Sequence, residues 1–135
     1  MIGHRWGGGK GKQPEKHMSS IRSCRDPIVW QQSKRLAALV FKATDRMPRS
    51  EIVGLTAQMR RASVFIPSNI AQGYNRKTRP EYIRGLRIAS GSQAELYTQW
   101  EIPRELEFLE ASPQIESLLT EIDRVLFSLI RKLEG

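Results

Sequence analysis

The chain has 135 residues, a length suited to one domain, of which 39% are hydrophobic and 27% charged. This composition is too apolar for wholesale disorder, and no apolar run approaches the roughly 20 residues that a bilayer span needs, so we expect no membrane partner. Lysine and arginine number 22 against 14 acids, and the resulting net charge of +8 suggests a polyanionic partner.

Residues 1–25 are predicted to form a disordered basic tail. Residues 1–26 hold six basic residues and two acids, are rich in glycine, lysine and serine, and show no apolar period. Two alternatives stay open: the tail is native, or Met18 is the true start and residues 1–17 are an upstream leader or an expression remnant. The one cysteine, Cys24, cannot form an internal disulfide, which fits a cytoplasmic protein.

Residues 26–135 are predicted to form a domain of four amphipathic helices. The first helix begins at Asp26–Pro27, an N-cap followed by proline, and its apolar residues recur at helical spacing as far as Met47. Four such helices joined by short loops favour an all-α, antiparallel up-down-up-down bundle.

The second predicted helix begins at a Ser50 cap and contains an internal proline. We expect Pro67 to kink the helix near Ser63, and the Asn69 side chain to satisfy the carbonyl that the proline frees. Gly73 or Asn75 is expected to supply the left-handed residue that ends this helix.

Two further capping signals mark the third and fourth helices. Thr78 and Glu81 form a capping box, from which the third helix is predicted to run to Glu110 with a bend at Pro103. Ser112–Pro113 then predicts the start of the last helix. No segment alternates with period two, so we expect no strand.

The sequence predicts no catalytic residue, metal site or cofactor. Both histidines lie in the tail, so Cys24 has no core histidine to activate it. Glu101 and Glu105 lie one helical turn apart, but a di-iron bundle needs Glu-x-x-His pairs, which the chain lacks. We therefore expect a protein that is not an enzyme.

A basic zone is followed by an acidic zone in the helical domain. Residues 60–87 hold seven basic residues and one acid, whereas residues 95–123 hold eight acids and one arginine. Binding to a phosphate backbone needs only fixed positive charge, so the basic zone favours nucleic acid (RNA or DNA), with ordinary solubilising charge as the alternative. The predicted nucleic-acid-binding residues are Arg60, Arg61, Arg76, Lys77, Arg79, Arg84 and Arg87.

A charge pair and several small residues are predicted to lie at one level of the second and third helices. In a hairpin turning near Arg76, Arg61 lies level with Gly91 and within a turn of Glu95, and the small residues at this height predict the tightest packing. Arg61 and Glu95 point away from the apolar seams, so they either bridge neighbouring subunits or form a solvated surface pair. The predicted interface residues are Arg61, Ser63, Gly91, Ser92 and Glu95, and the predicted structural residues are Pro67, Asn69 and Gly73.

Three stretches carry a family resemblance: LTAQMRRAS with IPSNIAQG in residues 55–73, WQQS in residues 30–33, and IASGS with EL in residues 88–96. Across roughly residues 27–133 the chain resembles the four-helix-bundle, 23S rRNA intervening-sequence protein family, departing from it at Gln72, usually Glu, and at Pro103. This family is similar to the accessory variability determinant of diversity-generating retroelements, a basic pentamer of four-helix subunits that binds nucleic acid and partners a reverse transcriptase.

The resemblance implies a homopentamer that binds nucleic acid as an accessory to a reverse transcriptase. The alternative is a protein-interaction module of the rRNA intervening-sequence type, whose charged zones serve assembly and which has no direct nucleic-acid role.

Overall fold

The computed structural model describes residues 28–135, and every regular element in that range is helical. The helices are α1 (Ile28–Thr44), α2 (Leu55–Asn75), α3 (Arg79–Glu105) and α4 (Pro113–Glu134), with one 3-10 turn at Arg49–Glu51. The predicted all-α chain of four helices, without a strand in the described range, is confirmed. The predicted basic tail and the helix start at Asp26–Pro27 lie outside the described residues.

Each helix packs against two others, because contacts join α1 to α2, α2 to α3, α3 to α4 and α4 to α1. The core is aliphatic with two large aromatic residues; its members that are less than 2% exposed include Leu36, Met59, Ile66, Tyr82, Leu86, Leu96, Trp100, Leu119 and Leu126. The indole Nε1 of Trp100 donates to Oε2 of Glu116 at 3.2 Å, so α4 satisfies the polar atom of this buried ring. Burial of each large side chain contributes about 1.5–3 kcal/mol.

The connection between α1 and α2 differs from the prediction at both ends. α1 ends at Thr44 rather than Met47, although Met47 still packs into the core. Ser50 does not cap α2, because it lies in the 3-10 turn, and α2 begins only after Gly54. The Glu51 carboxylate supplies the missing cap, since its Oε1 accepts from the amide of Leu55 at 3.3 Å.

α2 and α3 approach each other closely at a glycine pair, Gly73 and Gly85, which was not predicted from the sequence. A Cβ on Gly85 would lie 2.5 Å from the carbonyl oxygen of Asn69 and 2.9 Å from Cα of Gly73, whereas a Cβ on Gly91 would meet nothing within 4 Å. Gly73 is therefore a buried packing residue inside α2, and the prediction that it ends the helix is wrong. Lys77, with φ of 66°, supplies the left-handed residue after the helix end.

The predicted N-caps Thr78 and Ser112 are confirmed, but the Glu81 carboxylate does not bond back to the Thr78 amide as a capping box requires, and α3 is shorter than expected. Thr78 Oγ1 accepts from the amide of Glu81, and Ser112 Oγ accepts from the amide of Ile115, both at 3.3 Å. α3 ends at Glu105 rather than Glu110, because Glu107 takes a left-handed φ of 63° and the amide of Phe108 bonds back to the carbonyl of Pro103 at 2.8 Å. This pattern is a Schellman ending, and it terminates the helix.

Candidate nucleic-acid interface

Arg60 holds α2 against the C-terminal end of α1. Its Nε donates to Oγ1 of Thr44 at 2.8 Å, and its Nη2 pairs with Oδ1 of Asp45 at 3.1 Å. The guanidinium also lies over the ring of Phe41, 4.9 Å from the centroid. These contacts leave the Arg60 side chain only 25% exposed and engage it within the chain, and its role as a nucleic-acid ligand stays a prediction.

Arg79 and Arg87 bind the C-terminal end of α4. Arg79 Nη1 donates to the carbonyl of Leu133 at 3.1 Å, and Arg87 forms an ion pair with Glu134. The last carbonyls of a helix lack intrahelical partners and carry partial negative charge, so cations stabilise them. Both arginines therefore help to close the bundle, and their role as nucleic-acid-binding residues stays a prediction.

The four other predicted cations are Arg61, Arg76, Lys77 and Arg84, and their side chains form no hydrogen bond or ion pair within residues 28–135. Arg76 and Lys77 lie in the turn between α2 and α3, and Arg84 lies on the exposed side of α3 near its start. Arg61 is on the exposed face of α2, four helical turns before Arg76. Fixed positive charge therefore collects at the α2–α3 turn.

Two of these cations line a surface cleft of about 210 Å³ between α2 and α3. The Gly73–Gly85 contact forms its floor, where side chains are absent and the two backbones meet. We call this recess the α2–α3 cleft; it is lined by Asn69, Gln72, Gly73, Arg76, Glu81, Arg84, Gly85 and Ile88.

The α2–α3 cleft contains polar side chains that have no partner in the described part of the chain. Gln72, Arg76, Glu81 and Arg84 make no side-chain hydrogen bond or ion pair there. Asn69 uses one amide hydrogen to donate to the carbonyl of Phe65 at 2.8 Å, and not to Ser63 as predicted. The cleft thus presents two guanidinium groups, one carboxylate and two amides to solvent.

Sequence reasoning missed this cleft because it treated Gly73 as a helix end and left Gly85 without a role. A glycine inside a helix costs about 1 kcal/mol relative to alanine, so Gly85 in the middle of a helical pattern was a signal of close packing. Gly85 also lies three residues after Tyr82 and four residues before Ala89, which are both buried, so helical spacing puts Gly85 on the core-facing side of α3.

The predicted interface residues fall into two groups. Ser63 and Ser92 are buried inside the chain's own core, and the Ser63 hydroxyl donates to the carbonyl of Arg60 at 2.8 Å, so neither side chain can meet a second subunit. Arg61, Gly91 and Glu95 are exposed. No ion pair joins Arg61 to Glu95 within residues 28–135; instead Glu95 Oε2 accepts from Nε2 of Gln99 at 3.2 Å.

The exposed surface of α2 and α3 also carries large apolar side chains. Val64 and Phe65 on α2 are 41% and 44% exposed, and Ile88, Tyr97 and Ile102 on α3 are similarly open. Soluble monomers seldom expose many large apolar groups together, and such surfaces commonly meet another chain.

Four of the eight acids in the acidic zone pair with other side chains of the described residues. Arg104 pairs with Glu101 at 3.6 Å and with Glu116 at 3.2 Å. A hydrogen bond from Arg124 lowers the pKa of the exposed Glu121 carboxyl below its usual value. No group of three or more potential metal ligands occurs in the described range, and none of the described helices has the length and apolarity needed to cross a membrane.

The fold and the exposed cations define a helical-bundle protein with a basic turn and a partly apolar surface. Residues 25–131 match the 23S rRNA-intervening sequence protein family, and the chain belongs to this family. Its fold is similar to the crystal structure of a protein of unknown function from the S23 ribosomal protein family of Bacteroides thetaiotaomicron, with a TM-score of 0.69 and 23% identity over 79% of this chain and 98% of that one. No curated protein matches the chain.

Proposed function

We propose that this protein is a subunit of a homo-oligomer that binds the phosphate backbone of a nucleic acid through the α2–α3 turn. We further infer an antiparallel up-down-up-down bundle. Arg87 of α3 meets Glu134 of α4, Gln93 bonds to the carbonyl of Leu119, and Trp100 bonds to Glu116, so positions advance along α3 as they recede along α4. This arrangement puts the last turn of α4 beside the basic turn.

The observation that carries the nucleic-acid function is the set of unpartnered cations at the α2–α3 turn. Arg76, Lys77 and Arg84 are uncompensated within the described residues, while neighbouring Arg79 and Arg87 neutralise the end of α4. Phosphate recognition requires fixed charges and no base-specific geometry. A closed oligomer would repeat this positive surface in every subunit and raise its affinity for one strand.

The resemblance to the retroelement accessory protein extends this proposal. On that basis the oligomer would have five subunits, act in the cytoplasm and partner a reverse transcriptase. The exposed apolar side chains of α2 and α3 support assembly in general. They equally favour a second candidate, an assembly module without a nucleic-acid role. In that case the Arg61 and Glu95 charges join subunits, and the cations of the turn contact protein.

Nucleic-acid affinity measured on two matched double variants separates these functions. Arg76→Gln with Arg84→Gln removes two cations from the α2–α3 cleft, and Arg46→Gln with Arg49→Gln removes two exposed cations from the α1–α2 connection. Fluorescence anisotropy with a labelled 20-nucleotide single strand gives the Kd at several salt concentrations. Both double variants keep the tail and have the same net charge.

We expect the Arg76/Arg84 variant to bind at least tenfold more weakly and to lose about 1.4 from its salt slope, because a single strand contributes about 0.7 per phosphate contact. The Arg46/Arg49 control should stay near wild type. Equal losses in both variants would contradict the proposed location. Absence of binding by the wild-type protein would leave the assembly module as the function.

A further inference from the structure

The α2–α3 cleft contains polar groups that binding of a phosphate alone would not require. Arg76 and Arg84 suit an anion, but Glu81 lines the same recess, and its carboxylate repels an anion. The carboxylate can only accept hydrogen bonds, whereas the guanidinium groups can only donate them. A ligand that complements the whole recess therefore combines an anionic acceptor with a neutral hydroxyl donor.

Glu81 is open to such a ligand. Its backbone amide bonds to the Thr78 hydroxyl at 3.3 Å, but its side chain makes no hydrogen bond or ion pair within residues 28–135. Gln72 adds an amide without a partner in the same range, and this amide can both donate and accept. The carboxylate is thus available although two arginines line the same cleft.

The floor and the size of the cleft limit what can enter. The backbones of Gly73 and Gly85 are in contact, so the space where their side chains would lie is filled by the facing helix and a ligand can occupy only the recess beside this contact. A recess of about 210 Å³ is smaller than the roughly 300–1,000 Å³ of sites that enclose whole small molecules. It suits a phosphate and a sugar, with a base left outside against the half-exposed Ile88.

We infer that the α2–α3 cleft binds one phosphate and the adjoining ribose of an RNA strand, with the 2′-hydroxyl donating to Glu81. The inference rests on the nucleic-acid function proposed above and adds the class of nucleic acid. DNA lacks the 2′-hydroxyl, and it would leave the Glu81 carboxylate desolvated and unpaired beside its phosphate. The protein should therefore prefer RNA to DNA of the same sequence.

The test compares three labelled 20-nucleotide strands of matched sequence: RNA, 2′-O-methyl RNA and DNA. The 2′-O-methyl strand keeps the sugar oxygen but lacks the hydroxyl donor. Anisotropy titrations of the full chain give the ratio of Kd for DNA to Kd for RNA. The variants are Glu81→Ala, which removes the acceptor, and Glu81→Gln, which keeps an acceptor oxygen without charge. Glu105→Ala is the control, an exposed acid near the other end of α3.

For wild type and Glu105→Ala we expect RNA to bind about tenfold more tightly than DNA or 2′-O-methyl RNA, as one charge-assisted hydrogen bond allows. Glu81→Ala should abolish this preference, and Glu81→Gln should keep part of it. Equal wild-type affinity for the three strands, with both Glu81 variants tightening all of them alike, would overturn the inference but leave phosphate binding intact. Failure of wild type to bind any strand would overturn the proposed function as well.

Discussion

The Gly73–Gly85 contact makes alanine at position 85 a sharp test of the packing of α2 against α3. A Cβ on Gly85 would lie 2.5 Å from the Asn69 carbonyl oxygen and 2.9 Å from Cα of Gly73. Both obstacles are backbone atoms, so a rotamer change cannot relieve the clash and the helices must separate. Overpacking costs about 1–3 kcal/mol, while alanine recovers about 1 kcal/mol of helix propensity. Because a clash with backbone atoms places the overpacking cost in the upper half of that range, about 2–3 kcal/mol, we expect Gly85→Ala to lose about 1–2 kcal/mol of unfolding free energy.

Gly91 provides the matched control, because it lies on the same helix and a Cβ there would meet nothing within 4 Å. Gly91→Ala should therefore gain about 0.5–1 kcal/mol from helix propensity alone. Urea unfolding followed by circular dichroism, at one protein concentration for all variants, gives both values. A Gly85→Ala protein as stable as wild type or more stable would refute the close approach of the two helices.

Two further matched pairs test the roles that the structure assigns near the helix ends. Arg60→Ala should lower the unfolding free energy measured in urea by about 1–2 kcal/mol, because it removes the hydrogen bond to Thr44. Arg61→Ala, at an exposed position, should change it by less than about 0.5 kcal/mol. Equal losses in the two variants would contradict the structural role of Arg60. Ser112→Ala should cost about 1 kcal/mol as a lost N-cap, and Ser50→Ala less than about 0.5 kcal/mol. A larger loss of stability in Ser50→Ala would support the Ser50 cap predicted from the sequence.

Helix starts could be read from the sequence where the capping signal is local. Ser112 precedes a proline at the first helical position and Thr78 precedes one at the second, and both cap as predicted. The Ser50 signal misled because a 3-10 turn intervenes and the cap comes from Glu51, which reaches the amide four residues later. The competing cap depends on the geometry of the turn, which a residue pattern does not specify.

The buried face of α4 was only partly predictable. The residues of α4 that are buried are Ile115, Leu119, Ile122, Leu126 and Leu133, whereas Leu118, Val125 and Leu129, which also recur at helical spacing, are only half-buried. Apolar residues cover a wide part of the circumference of α4, so more than one set of them recurs at helical spacing and could form the buried face. Contacts with α1 and α3 select one of them.

The composition of the candidate site could be predicted, but not which cations remain unpartnered. Arg79 and Arg87 pair with atoms of α4 that lie about 50 residues away along the chain. Such pairs depend on how the helices pack, and a charge count cannot show them. The remaining cations Arg76, Lys77 and Arg84 mark the surface to which we assign the proposed phosphate binding.

The most direct measurement is hydrogen–deuterium exchange of the full chain with and without a saturating 20-nucleotide RNA. If the cations of the α2–α3 turn hold the phosphate backbone, peptides covering residues 69–88 should gain protection, while peptides covering residues 101–116 in the acidic zone should not. Protection confined to the acidic zone or to the tail, with residues 69–88 unchanged under saturation, would contradict the proposed interface.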